Sequence, residues 1–196
     1  MFVVISDQGE IAVYQGNNPS SATDWQLVGV YTMALPLHKN ASMRAGGNLL
    51  IATKDGLIPI SDAVQKDRAA LTMTAISLPI EPTWRAYQIA RAGKWTLTAW
   101  TAKNMAIVGF PADGGGVKAC FAVNTQTGAW SRFVGWDVRC AIEFGGKLYV
   151  GTSNGIVGNA EQSGTDFGDI YTCTYVGLHE RLGNITQEKV AHMGRA

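Results

Sequence analysis

A thirteen-residue unit occurs twice in this chain, and it constrains the fold more than any other feature. Gly46-Gly47-Asn48-Leu49-Leu50-Ile51-Ala52-Thr53-Lys54-Asp55-Gly56-Leu57-Ile58 returns as Gly145-Gly146-Lys147-Leu148-Tyr149-Val150-Gly151-Thr152-Ser153-Asn154-Gly155-Ile156-Val157. Every matched position is displaced by the same interval, as Gly46 is from Gly145 and Gly56 from Gly155. Self-similarity at a fixed interval means that copies of one supersecondary unit build the fold. Each copy reads as a hairpin. Gly-Gly lets the chain reverse where φ must be positive, large apolar residues are frequent in the five that follow, and Asp-Gly or Asn-Gly supplies a tight turn.

The flanking sequence repeats the same order of strands. Residues 25–31 read as a strand upstream of the first copy, and residues 130–136 read the same way upstream of the second. Val3-Val4-Ile5-Ser6 with Ile11-Ala12-Val13-Tyr14 forms one more hairpin pattern, and residues 96–100 with 105–108 form another, each with turn residues between β-formers. With strands over 117–124 and 139–144 added, the chain is expected to hold three or four sheets of up to four strands, at roughly 40 to 50 residues per sheet. That period falls in the range of propeller blades. The expected class is all-β: a propeller or propeller fragment of about three to four antiparallel blades, in a single repeated domain over 1–196. A single twisted β-sandwich is the alternative, since regular strand spacing is expected there too. Sequence likeness between the copies favours the propeller.

Two stretches break the β rhythm. Residues 61–71 combine a capping residue with good helix formers and read as one short helix. Residues 82–91 read as a second, with Thr83 as a cap and Gly93 past its end. A helical insertion over about 61–92 would either present an interaction element on a rigid scaffold or cover a sheet edge.

Composition excludes several classes. The chain is 46% hydrophobic and 16% charged, with a net charge of +1 and no basic run, so bulk electrostatic capture of nucleic acid is not expected, nor is sequence-specific recognition of it. No stretch of about 18 uninterrupted apolar residues is present to span a bilayer, and Met1-Phe2-Val3-Val4-Ile5-Ser6 lacks the basic start of a signal peptide. Cys120, Cys140 and Cys173 are far apart, as are His38, His179 and His192, so no structural zinc site is expected and the cysteines read as buried packing residues.

Catalytic signatures are missing from the sequence. There is no nucleophile elbow, zinc-protease helix or phosphate-binding loop; Gly114-Gly115-Gly116 reads as a hairpin tip, and Asp113 beside it as a turn residue. Glu10, Asp24, Asp55, Asp62, Asp67, Asp113, Asp137, Glu143 and Asp166 fall mostly in expected turns or solvent positions. The chain is therefore read as a non-enzyme with no catalytic, cofactor-binding or metal-binding residue to nominate. Six tryptophans are present, and Trp25 and Trp130, at matching strand positions, are expected to pack one blade against the next; exposed tryptophans would suggest sugar stacking.

The runs 24–31, Leu35-Pro36-Leu37 and 46–61, with Asn124 to Phe133 and Gly135-Trp136-Asp137 later in the chain, resemble the β-rich structural proteins of tailed bacteriophages and prophages. They are most similar to the tail-hub or packaged-DNA-stabilisation type. That resemblance implies a virion component, assembled in the bacterial host cytoplasm. It would form homo-oligomers and bind portal, connector or other tail proteins, helping to close the DNA exit channel; it carries no site residues with it. A strand at the start and a strand-like 186–193 are compatible with a piece of a longer polypeptide whose open edge pairs with another chain. The other readings are a carbohydrate-binding propeller and a propeller-type glycosidase, the latter needing a carboxylate pair.

Overall fold

The computed structural model describes residues 2–161, Ile170 and Thr172. Residues 2–161 belong to one unit and form thirteen strands in four small antiparallel sheets, none of which closes on itself. The first sheet holds β1 (Phe2–Ile5), β2 (Glu10–Gln15) and β3 (Gln26–Thr32); the second holds β4 (Ser42–Ala45), β5 (Asn48–Thr53) and β6 (Gly56–Pro59). In the third lie β7 (Thr96–Trp100), β8 (Met105–Gly109), β9 (Ala119–Asn124) and β10 (Trp130–Val134). The fourth holds β11 (Cys140–Phe144), β12 (Lys147–Gly151) and β13 (Val157–Asn159). Every sheet is a meander in chain order. The strands expected up to residue 144 are present, the strand-like 186–193 lies outside the described residues, and the β2–β3 register shifts between Val13 and Tyr14, passing over Val28.

The sheets stack face to face in the order of the sequence, because alternate residues of the inner strands are apolar on both faces. Ile11 and Val13 of the first sheet meet Ile51 and Ile58 of the second. Leu50, Ala52 and Leu57 of the second meet Leu97, Val108, Phe121 and Val123 of the third. Ile107, Cys120 and Ala122, on the other face of the third sheet, meet Leu148 and Val150 of the fourth. Within the stack, β7 lies beside β4 on one side and β11 on the other, all three being the first strands of their sheets.

Between the second and third sheets the chain forms α1 (Ile60–Gln65), α2 (Arg68–Thr74), a 3₁₀ turn and α3 (Glu81–Ala90). The single helix expected over 61–71 is thus two helices. Lys66 and Asp67 adopt extended backbone between them, the conformation typical of an N-cap residue such as aspartate. Ser61 lies inside α1, and its hydroxyl accepts from the Asn48 amide at 2.9 Å. Thr83 likewise sits inside α3 rather than capping it. Alpha-3 delivers Trp84 to the core, where it meets Trp95, Phe121 and Trp130 and donates its indole N–H to the Thr53 carbonyl at 3.0 Å.

The structure corrects two sequence expectations about packing. Cys120 is buried, which pushes its thiol up to about 12, but Cys140 is exposed; Cys173 lies outside the described residues. Trp130 packs between the second and third sheets, its indole donating to the Ile76 carbonyl at 3.2 Å. Trp25 does not play the matching part: it is half-buried beside Phe2 and Tyr14, stacked on the Tyr14 ring at 5.9 Å.

Candidate functional site

The acidic residues singled out in the sequence are occupied by local structure. Asp24 accepts the Asn17 and Asn18 amides at 3.0 and 2.7 Å, and Asp62 pairs with Lys66 one helical turn away. Asp55 approaches Arg68 at 4.0 Å. Asp113 accepts the Gly115 and Val117 amides and pairs at 3.0 Å with the buried Arg91, which also donates to the Pro111 and Val117 carbonyls. The glycine run is therefore the tip of a clamped β8–β9 connection. Asp67 caps α2 by backbone conformation alone, Glu10 opens β2, and Asp166 lies outside the described residues. Among the described residues, no group of three or more His, Cys, Asp or Glu is placed to hold a metal ion.

Two carboxylates have lowered pKa values, each with a structural cause. Burial would raise Asp137, yet hydrogen bonds from the Ser153 hydroxyl and amide and the Lys118 ammonium at 3.3 Å outweigh it and hold the carboxyl below its usual range. Arg139 sits on its other oxygen at 3.1 Å. Glu143 is lowered by the hydroxyl and amide of Thr101, at 2.6 and 2.5 Å, with the Ala102 amide adding to them. Both carboxylates are fully ionised at neutral pH and accept hydrogen bonds, so neither is a proton donor in the manner of a raised catalytic acid. They tie loops to sheets.

A groove of about 550 Å³ opens between the first sheet and α1. Val3, Val13 and Ile60 form its apolar part, and Gln15, Asn48 and Gln65 supply amides at its rim. No charged side chain lines it. Such a surface offers packing and hydrogen bonds, the Tyr31 and Ser61 hydroxyls adding to those amides.

The most unusual surfaces are the two ends of the stack. On the outer side of the first sheet, strand alternation and register align Phe2, Val4, Tyr14, Leu27 and Val30, with Trp25 against Phe2 and Tyr14. Val30 is 58% exposed there. On the outer side of the fourth sheet lie Cys140, Ile142, Phe144, Tyr149 and Val157, with Phe144 75% exposed. Beta-11 makes the point in five residues: its more apolar side, Cys140, Ile142 and Phe144, faces out, while Ala141 and Glu143 face in. Burying a side chain of this size is worth about 1.5–3 kcal/mol, so leaving several of them in water is unfavourable.

The sequence reading did not single out either face. A signal was present, since Phe2-Val3-Val4-Ile5 is apolar at every position and reads as a strand covered on both sides. Among the described residues only one of those sides is covered. No helix among them is long and apolar enough to cross a membrane. No family model, curated protein or solved structure matches the chain.

Proposed function

We propose that this chain is a non-enzymatic structural protein that works by contact with other protein subunits, its four sheets serving as blades of a propeller or propeller fragment. The blade reading is supported by meanders stacked in chain order with the first strands of three sheets side by side. A stiff stack of this kind holds partners in fixed positions, and its helical segment adds a second presented element. The observation that carries the assembly reading is the outward-facing apolar side of β11, matched by that of the first sheet at the other end.

The setting proposed is the tail or head-to-tail region of a tailed-phage virion, where the protein would help close the DNA exit channel beside portal, connector or tail proteins. This part is supported by the sequence resemblance alone. Light scattering and electron microscopy of the purified protein, with and without portal and connector proteins, test the reading. Defined oligomers or a stable complex are expected; a persistent monomer that binds neither would overturn it.

One observation favours a second reading. The Tyr14–Trp25 stack, tilted against Phe2, is an accessible aromatic platform of the kind that holds a sugar ring. A glycan array with hits lost in Trp25→Ala would support carbohydrate binding, and an array without hits would remove it.

A further inference from the structure

We infer that the outer face of the first sheet of one copy packs on the outer face of the fourth sheet of the next, so that the stack continues from chain to chain. The inference rests on the assembly reading and names its partner as a second copy of this chain.

Continuity with the interior is the first argument. Each internal interface joins an apolar sheet face to the facing apolar side of the next meander, and the two end faces are built in the same way from branched and aromatic residues. They lie at opposite ends of the stack, with the second and third sheets between them. Within one chain the sheets between them keep them apart; in neighbouring copies they can meet.

Charge supplies the second argument and sets the pairing. Strand alternation puts Glu10 on the first-sheet face with Ala12 and Tyr14, opposite Thr32, and puts Lys147 on the fourth-sheet face beside Phe144. Among the described residues neither makes an ion pair. A face packed on its own copy would put two Glu10 or two Lys147 side chains in one interface, whereas first face on fourth face puts one of each sign there. Like-charge juxtaposition selects against the wrong pairing. Such a heterologous contact closes into a ring or extends into a filament.

Single-face variants of the full chain test this by sedimentation velocity. Val30→Asp on the first face and Ile142→Asp on the fourth should each weaken self-association by about tenfold or more, the cost of a charge at an interface hot spot. Mixed together, the two variants should form pairs that stop growing, since each retains the face the other has lost. Glu10→Lys and Lys147→Glu, which leave the apolar surface intact, should each weaken assembly, and the double swap should restore it. Assembly lost in one single-face variant but unchanged in the other would overturn the inference in favour of a face pairing with itself. A monomeric wild type would overturn it too; the assembly reading falls with it only if portal and connector proteins also fail to bind.

Discussion

The two copies of the thirteen-residue unit share a local fold and differ in what surrounds them. In both, a Gly-Gly turn joins the first two strands of a meander, closing the pairs Ala45↔Asn48 and Phe144↔Lys147. Gly46 and Gly145 have φ of +61° and +58°. In both, a threonine closes the following turn: Thr53 Oγ1 donates to the Gly56 carbonyl and Thr152 Oγ1 to that of Ile156, each at 2.9 Å. The second turn then diverges. Two residues link Thr53 to Gly56, whereas five separate Gly151 from Val157. Burial diverges further, because among the described residues the first copy lies between two neighbouring sheets and the second is covered on one side only. Local sequence specifies the hairpin, and position in the stack decides what each residue contributes.

Matched substitutions should expose that difference most sharply at Leu57 and Ile156, which occupy the same place in the two copies. Leu57 is fully buried and Ile156 is 52% exposed. Leu57→Ala should cost about 2–5 kcal/mol, the range for a leucine removed from a packed core. Ile156→Ala should stay within about 0.5 kcal/mol, as surface changes do. Denaturant midpoints of the two variants measure both effects, and equal losses would break the comparison.

The glycines of the second turn offer a smaller contrast. Gly56 has φ +136°, and a Cβ there would lie 2.5 Å from Ser77 Oγ and 2.8 Å from Ala75 Cβ. Gly155 has φ +82° and open space around it. Gly155→Ala should therefore cost only the left-handed backbone penalty, about 1–2 kcal/mol. Gly56→Ala should cost more than that, because Ala75 and Ser77, just past α2, must also shift. Thermal melts of the two variants would show the order, and a reversal would mean that the turns, not the packing, set the cost.

The hairpins, the turn glycines and the number of sheets were legible in the sequence because they follow from short-range rules. Recognising the apolar run of β5 and the Gly-Gly turns needs nothing beyond a few neighbours. What the sequence left open is which neighbour covers which face. Cys140 and Cys120 are similar as residues, yet one looks outward from an end sheet and the other into a sheet interface. Trp25 and Trp130 follow the same local pattern and still differ, since Trp130 has a sheet to pack against and Trp25 lies on an outer face. The helix expected over 61–71 failed for a local reason: Asp67 favours starting a helix over continuing one. As for the candidate site, the apolar end faces were visible only once the stacking order was known.

Acid should separate the two copies by another route. The turn of the second copy is anchored by Asp137, whose carboxylate accepts from the amide of Ser153 at 3.0 Å and from its hydroxyl. The matching residue of the first copy, Lys54, is anchored instead by its amide on the Leu35 carbonyl at 3.0 Å, a contact without a titrating group. Because the folded-state pKa of Asp137 is depressed, its contribution is fully present above the ordinary value of 3.8 and is lost as pH falls through the lower folded value. Protonation removes acceptor capacity toward Ser153 and the attraction of Lys118 and Arg139. Amide exchange followed into that range should show Ser153 and Ile156 losing protection before Lys54 and Leu57. Asp137→Asn should cost roughly 1–3 kcal/mol at neutral pH, as expected when a charged acceptor of several hydrogen bonds is lost, and should flatten the acid limb of the stability curve. Simultaneous loss of protection in both turns would mean that the copies unfold as one unit, and that the difference in their anchors has no energetic consequence.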